Sequence, residues 1–160
     1  MVTINIIAVG KIKEKYFTDA VNEYSQRLSA FCKLNIIELK DESIPQNPNV
    51  SQIAEVLSKE ANAILSKLPK ESYIFALCVE GEQLSSEGLA EKIETIQTSG
   101  KSSLTFIIGG SVGLSDEIKS RTNVKLSFSK MTFPHQLFRI MLVEQIYRAF
   151  KIMNRQTYHK

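Results

Sequence analysis

The chain has 160 residues, 43% hydrophobic and 23% charged, the size and balance of one globular domain that buries its core without a disulfide or metal staple. No apolar run approaches the roughly 20 residues of a membrane-spanning helix, and the opening MVTINIIAVGKIKEK puts its apolar run before its basic residues, the reverse of a secretory signal, so a cytoplasmic protein is expected. The net charge of +3 hides an asymmetry: residues 1–99 hold 10 Lys and Arg against 14 Asp and Glu, whereas residues 100–160 hold 10 against 3. A basic excess of that kind suits a phosphate backbone, and equally a solvated face.

In chain order, Val2 to Val9 reads as a strand buried on both faces, stopping at Gly10. Tyr16 to Phe31 carries a 3.6-residue apolar stripe and reads as a helix with Cys32 at its end. Leu34 to Leu39 is a second strand, and Lys40 to Val50, holding Pro45 and Pro48, a loop. Ser51 is the expected cap of a helix that Pro69 ends. Tyr73 to Val79 reads as a third strand followed by a turn at Glu80-Gly81-Glu82. Ser85 or Ser86 caps a helix to about Thr98, and Ser103 to Ile108 is a fourth strand closed by Gly109-Gly110. A short helix over Leu114 to Arg121, a fifth strand over Val124 to Phe128 and a long helix from Pro134 to about Met153 complete the series. The alternation predicts an α/β fold with a mostly parallel sheet, residues 1–160 forming a single domain.

Ligands of open α/β sheets bind outside the carboxyl ends of the strands. Three such ends stand out here: Leu77 to Gly81, Gly109 to Leu114, and Phe128 to His135. The glycines of the second allow close backbone approach, but the segment is neither a P-loop nor a G-x-G-x-x-G fingerprint, and alone it is also compatible with a tight turn. The third contains no glycine and can offer backbone N–H and C=O groups to an adenine edge, with Met131 and Phe133 enclosing a neutral ring. With two histidines, His135 and His159, and two widely spaced cysteines, Cys32 and Cys78, no metal site is expected.

The long helix is apolar nearly all round, with Glu144, Arg148 and Lys151 in one narrow stripe, which predicts a homodimer burying it. Arg139, opposite that stripe, is either a snorkelling side chain or a guanidinium aimed at phosphate or base. The ending Tyr158-His159-Lys160 sets a stacking ring beside a titratable group.

Gly109-Gly110-x-x-Gly113-Leu114, then Leu126-Ser127-x-Ser129-x-Met131-Thr132-Phe133-Pro134-His135-x-Leu137-x-Arg139, then Glu144-Gln145-x-Tyr147-Arg148-Ala149 and the final Tyr158-His159-Lys160 together resemble the RlmH family, small SPOUT-class methyltransferases of bacterial large-subunit (23S) ribosomal RNA. The resemblance spans the whole chain. It implies a C-terminal trefoil knot formed after Gly109, an obligate homodimer, and S-adenosyl-L-methionine as cofactor, held by Leu77, Gly109, Phe128, Ser129, Lys130, Met131, Thr132 and Phe133. It also implies a pseudouridine substrate methylated at N3, within the assembled ribosome. His159 with Tyr158, reaching over from the partner subunit, and Arg139 as an electrostatic anchor are the expected catalytic groups. The alternative reading is a non-catalytic ribosome-binding or assembly factor that keeps the fold.

Overall fold

A computed structural model describes residues 1–158. One five-stranded sheet, parallel throughout its named pairs, runs in the order β2-β1-β4-β3-β5, with β1 Val2–Val9, β2 Cys32–Leu39, β3 Tyr73–Gln83, β4 Ser103–Ile108 and β5 Val124–Ser127. Between them run α1 Lys15–Leu28, α2 Val50–Lys67, α3 Ser86–Thr98, α4 Asp116–Ser120 and, last, α5 His135–Met153.

Alternate residues of the strands face opposite ways, so the sheet feeds two cores. Ile4, Ile6 and Ala8 of β1 join Phe75, Phe106, Leu28 of α1, Ile93 of α3 and Leu142, Val143 and Ile146 of α5 on one face. Ile7 and Val9 join Ala61 and Ile64 of α2 and Ile118 of α4 on the other. Phe75 and Phe106 stack across β3 and β4 with centroids 4.6 Å apart.

α5 packs against both α1 and α3. Its apolar circumference is therefore largely accounted for inside one chain: Leu142, Val143, Ile146, Ala149 and Phe150 are buried, and only Leu137 of its large apolar residues is exposed.

Three sequence expectations need correction. Asn49, not Ser51, caps α2, because Asn49 and Gln52 form a reciprocal capping box: the Gln52 N–H donates to Asn49 Oδ1 at 2.8 Å and the Asn49 N–H to Gln52 Oε1 at 3.0 Å. Cys32 opens β2 instead of ending a helix, its thiol pushed up to about 11 by burial.

The Glu80-Gly81-Glu82 segment does not turn the chain out of the sheet. β3 bulges there and resumes, so that Leu77 and Glu82 both pair with Leu126 of β5. Gly81 makes this possible, since a Cβ on it would lie 2.7 Å from the backbone of Lys125 and Leu126. Backbone cannot retreat as a side chain tip can. Gly81→Ala is accordingly expected to lower stability by about 1–3 kcal/mol, read as a reduced urea midpoint with an unchanged slope.

Candidate active site

The bulge in β3, the turn after β4 and the segment between β5 and α5 meet at the carboxyl edge of the sheet and enclose a cavity of about 250 Å³. All three strand ends singled out in the sequence line it. Leu77, Gly109, Phe128, Ser129, Met131, Thr132 and Phe133 stand in its wall, and Lys130, exposed, does not.

Glycines let parts of that wall come together. A Cβ on Gly109 would sit 2.7 Å from the Gly113 carbonyl oxygen, so the two ends of the 109–113 turn can meet only without a side chain. Gly110 and Gly113 form an antiparallel bridge, the Gly113 N–H donating to the Gly110 carbonyl at 3.0 Å. The opposite wall orders itself through its serines: Ser127 Oγ donates to the Ser129 carbonyl at 3.0 Å, and Ser129 Oγ accepts the Met131 N–H at 3.0 Å. Phe138 backs that wall, its ring 4.9 Å from Phe128 and 6.4 Å from Phe133.

The lining also carries an ion pair whose Lys119 no sequence pattern pointed to. Lys119 and Glu80 pair at 2.5 Å, and this contact holds the Glu80 carboxyl below and the Lys119 ammonium above their usual ranges. Cys78, whose thiol is pushed up mainly by burial, lines the cavity with His135. A flagged strand end at residues 77–81 was the available signal for Cys78 and Glu80; Lys119 left none.

Arg139 lies outside the cavity. It is 1% exposed; Nη1 donates to Glu38 Oε2 at 2.6 Å and Nη2 to the Gly10 carbonyl at 3.1 Å, and Nε has no partner among the described residues. The guanidinium therefore neither snorkels nor faces the pocket. It ties the first turns of α5 to the ends of β1 and β2, helped by Gln136 Oε1, which accepts the Lys13 N–H at 3.0 Å. Glu38 also accepts the Ile12 N–H at 2.8 Å. The partners stand 101 residues apart in sequence, a pairing no local pattern announces.

Tyr158, five residues beyond the last residue of α5, folds back onto the middle of that helix, its hydroxyl 3.2 Å from Glu144 Oε1 and its ring 4.9 Å from Tyr147, beneath the Arg148 guanidinium. Burial above all pushes its phenol up to about 12. His159 lies outside the described residues. A second cavity of about 380 Å³ adjoins the first through Leu126, Ser127 and Phe128 and is lined by Ile140, Met141 and Glu144 of α5.

Comparison with known proteins places these features. The profile of a family described as predicted SPOUT methyltransferase matches residues 2–159. A putative ribosomal RNA large subunit methyltransferase H from Methanococcus maripaludis is 55% identical over 98% of this chain and 99% of its own length. A ribosomal RNA large subunit methyltransferase H from Clostridium botulinum is 52% identical over the same shares. Among solved structures, a probable methylase family protein from Haemophilus influenzae Rd KW20 aligns with 98% of this chain and 70% of its own at 13% identity, with a TM-score of 0.49, a likeness too slight to carry weight.

The Arg139 ion pair makes its own prediction. Glu38→Ala strands a buried guanidinium and is expected to cost about 1–3 kcal/mol, reduced from the fully buried case because the Glu38 side chain is 36% exposed. Adding Arg139→Met should recover most of that loss, giving a coupling of about 1 kcal/mol or more in a double-mutant cycle followed by chemical denaturation.

Proposed function

Because the chain belongs to the RlmH family of SPOUT methyltransferases, we propose that it methylates N3 of a pseudouridine in large-subunit ribosomal RNA, using S-adenosyl-L-methionine. It works in the cytoplasm, on the assembled ribosome, as a homodimer whose subunits are single domains of residues 1–160. The observation that carries this reading is the cavity at the carboxyl edge of the sheet, where seven of the eight cofactor residues that the resemblance implies converge on one volume.

The donor set fits the cofactor. An adenine edge needs hydrogen-bonding groups in an apolar setting, and the cavity sets Gly109, Gly110, Gly113, Ser127, Ser129 and Thr132 beside Leu77, Phe128 and Phe133. A C-terminal trefoil knot, the chain after Gly109 threading the loop made by the chain before it, is part of this reading and follows from the family. When bound, S-adenosylmethionine supplies an electrophilic sulfonium methyl group.

The protein's part is then positioning and proton removal. The N3 nitrogen loses its proton as the methyl arrives, and His159 is the group proposed to take it. Tyr158, with its phenol held protonated far above neutral pH, donates to Glu144 in its own chain and is suited to stacking on the base, not to accepting the proton. Since Tyr158 is seated on the middle of α5, away from the cavity at the start of that helix, the tail is proposed to serve the partner's pocket, with the second cavity and the half-buried Ile140 and Met141 at the subunit contact. Arg139 acts as an electrostatic anchor by holding the helix that carries the pocket wall. The basic excess of residues 100–160 supplies general affinity for the RNA backbone.

Purified protein and methyl-labelled cofactor, incubated separately with intact ribosomes, isolated subunits and naked RNA, test the reading. Label is expected in intact ribosomes, at pseudouridine N3 by nucleoside mass spectrometry. Label in naked RNA alone would remove the assembled ribosome from the proposal, and absence of both label and cofactor binding would favour a non-catalytic ribosome-binding factor. His159→Ala is expected to lower turnover about 10²–10⁴-fold with cofactor affinity kept; undiminished turnover removes the base role.

A further inference from the structure

The turn that lines the cofactor cavity has a second side, and a buried carboxyl group stands against it. Glu60, on α2, is 4% exposed, a rare state for a glutamate. Its Oε2 accepts the Glu42 N–H at 3.3 Å, and its Oε1 has no hydrogen-bond partner among the described residues. Asp41 and Glu42 add acidic groups, and burial, foremost, raises the Glu60 pKa. Among the described residues no cation is paired with it. A buried carboxyl oxygen left without a partner costs about 1–3 kcal/mol or more, so the site is retained at the expense of stability.

What faces that oxygen is Gly110. A Cβ there would lie 3.1 Å from Glu60 Oε1, 3.2 Å from Oε2 and 3.1 Å from Val9 Cγ1, so the glycine lets the carboxyl group come up against the peptide backbone. Gly110 lines the cavity on its other side and is bridged to Gly113 across the same turn. Glu60 itself is absent from the cavity wall. Any small rotation of the Gly110 peptides is thus felt in the cavity in front and at the carboxyl group behind.

We infer that Glu60 is a positioning residue for the cofactor: its open Oε1 forms a hydrogen bond to the backbone of the 109–113 turn when that turn closes on the bound molecule. The inference rests on the reading of the cavity as the S-adenosylmethionine site. The carboxyl oxygen serves in either protonation state, as acceptor for an N–H or as donor to a C=O, so the contact needs a polar atom at that place and not a charge.

Two substitutions separate positioning from structure. Glu60→Leu has nearly the same shape and no polar atom; Glu60→Gln keeps both an acceptor and a donor. Glu60→Leu removes the cost of the unpartnered Oε1 and also the long bond from the Glu42 N–H, a half-buried group that water can reach, so it should melt close to the parent in the absence of ligand. Its affinity for S-adenosylhomocysteine in calorimetric titration should nevertheless fall roughly tenfold, the scale of one hydrogen bond, while Glu60→Gln stays within about threefold of the parent. Affinity unchanged in Glu60→Leu, or lost only in step with a lowered melting temperature, overturns the proposal.

If Glu60→Leu does not fold, the parent protein decides the matter. The Glu60 side-chain carboxyl ¹³C resonance, assigned by its loss in Glu60→Gln, should shift on saturation with S-adenosylhomocysteine, and a resonance that does not move overturns it. A parent protein that binds no S-adenosylhomocysteine would instead show the reading of the cavity itself to be wrong.

Discussion

The close contact of backbone with backbone at the carboxyl edge of the sheet is the constraint on which the site depends. Gly109 meets the Gly113 carbonyl, and Gly81 meets the peptides of Lys125 and Leu126, at distances that leave no room for a Cβ. Each contact joins two segments that would otherwise diverge after their strands. The resulting wall sets Gly109, Gly110 and Gly113 beside Leu77, Phe128 and Phe133 on segments anchored to the sheet. A pocket of this kind is set by where the chain can pass. Its specificity resides in backbone geometry that glycines permit and side chains would forbid.

Two buried ionisable groups flank this edge from opposite faces of the sheet. Arg139, among the α5 residues, reaches Glu38 and the Gly10 carbonyl, while Glu60, on α2, stands behind Gly110. Neither position is explained by core packing, since burying a charge generally costs more than its pair returns. Both act on the segments that form the cavity: Arg139 fixes the helix into which the 127–133 wall runs, and Glu60 abuts the 109–113 turn. Away from the cavity, burial of polarity has another use. Asn35 donates to Asn5 at 3.0 Å and Asn5 donates to Ser103 at 3.2 Å, a polar ladder across β2, β1 and β4. A one-residue slip of any of these strands would leave it unmatched, so the register is fixed there.

The fold was legible wherever apolar periodicity was strong. β1 and β4 have the bounds expected from their apolar runs, and α5 differs from expectation only in that Pro134 is its cap. The cap of α2 was missed although the Asn49–Gln52 box is local; the larger errors fall where tertiary packing overrides local chemistry. Glu80-Gly81-Glu82 has the composition of a turn, yet the neighbouring β5 recaptures the chain, which only a long-range pairing could reveal. α5 is nearly all apolar because α1 and α3 flank it, so the inference of a second subunit from composition loses part of its force. The site was legible as three separate segments whose convergence needed the sheet order. Glu38 and Glu60 left no local signal, because each is defined by a partner on another element.

The length of α5 shapes the chemistry. Its 19 residues extend about 28 Å at 1.5 Å per residue, and Tyr158 folds back onto Glu144 and Tyr147, about 14 and 18 Å along the helix from His135 at the cavity. From that seat Tyr158 reaches a base at its own cavity only by moving on the order of 14 Å further back along the helix. A second chain laid antiparallel along the first would remove the difficulty, since it would set each tail beside the other chain's cavity. The apolar surface left open on α5, Leu137 with the half-buried Ile140 and Met141, lies in the half of the helix next to the cavity. That is the half such a partner would have to cover, so the geometry that separates tail from pocket within one chain is also the geometry that would unite them across two.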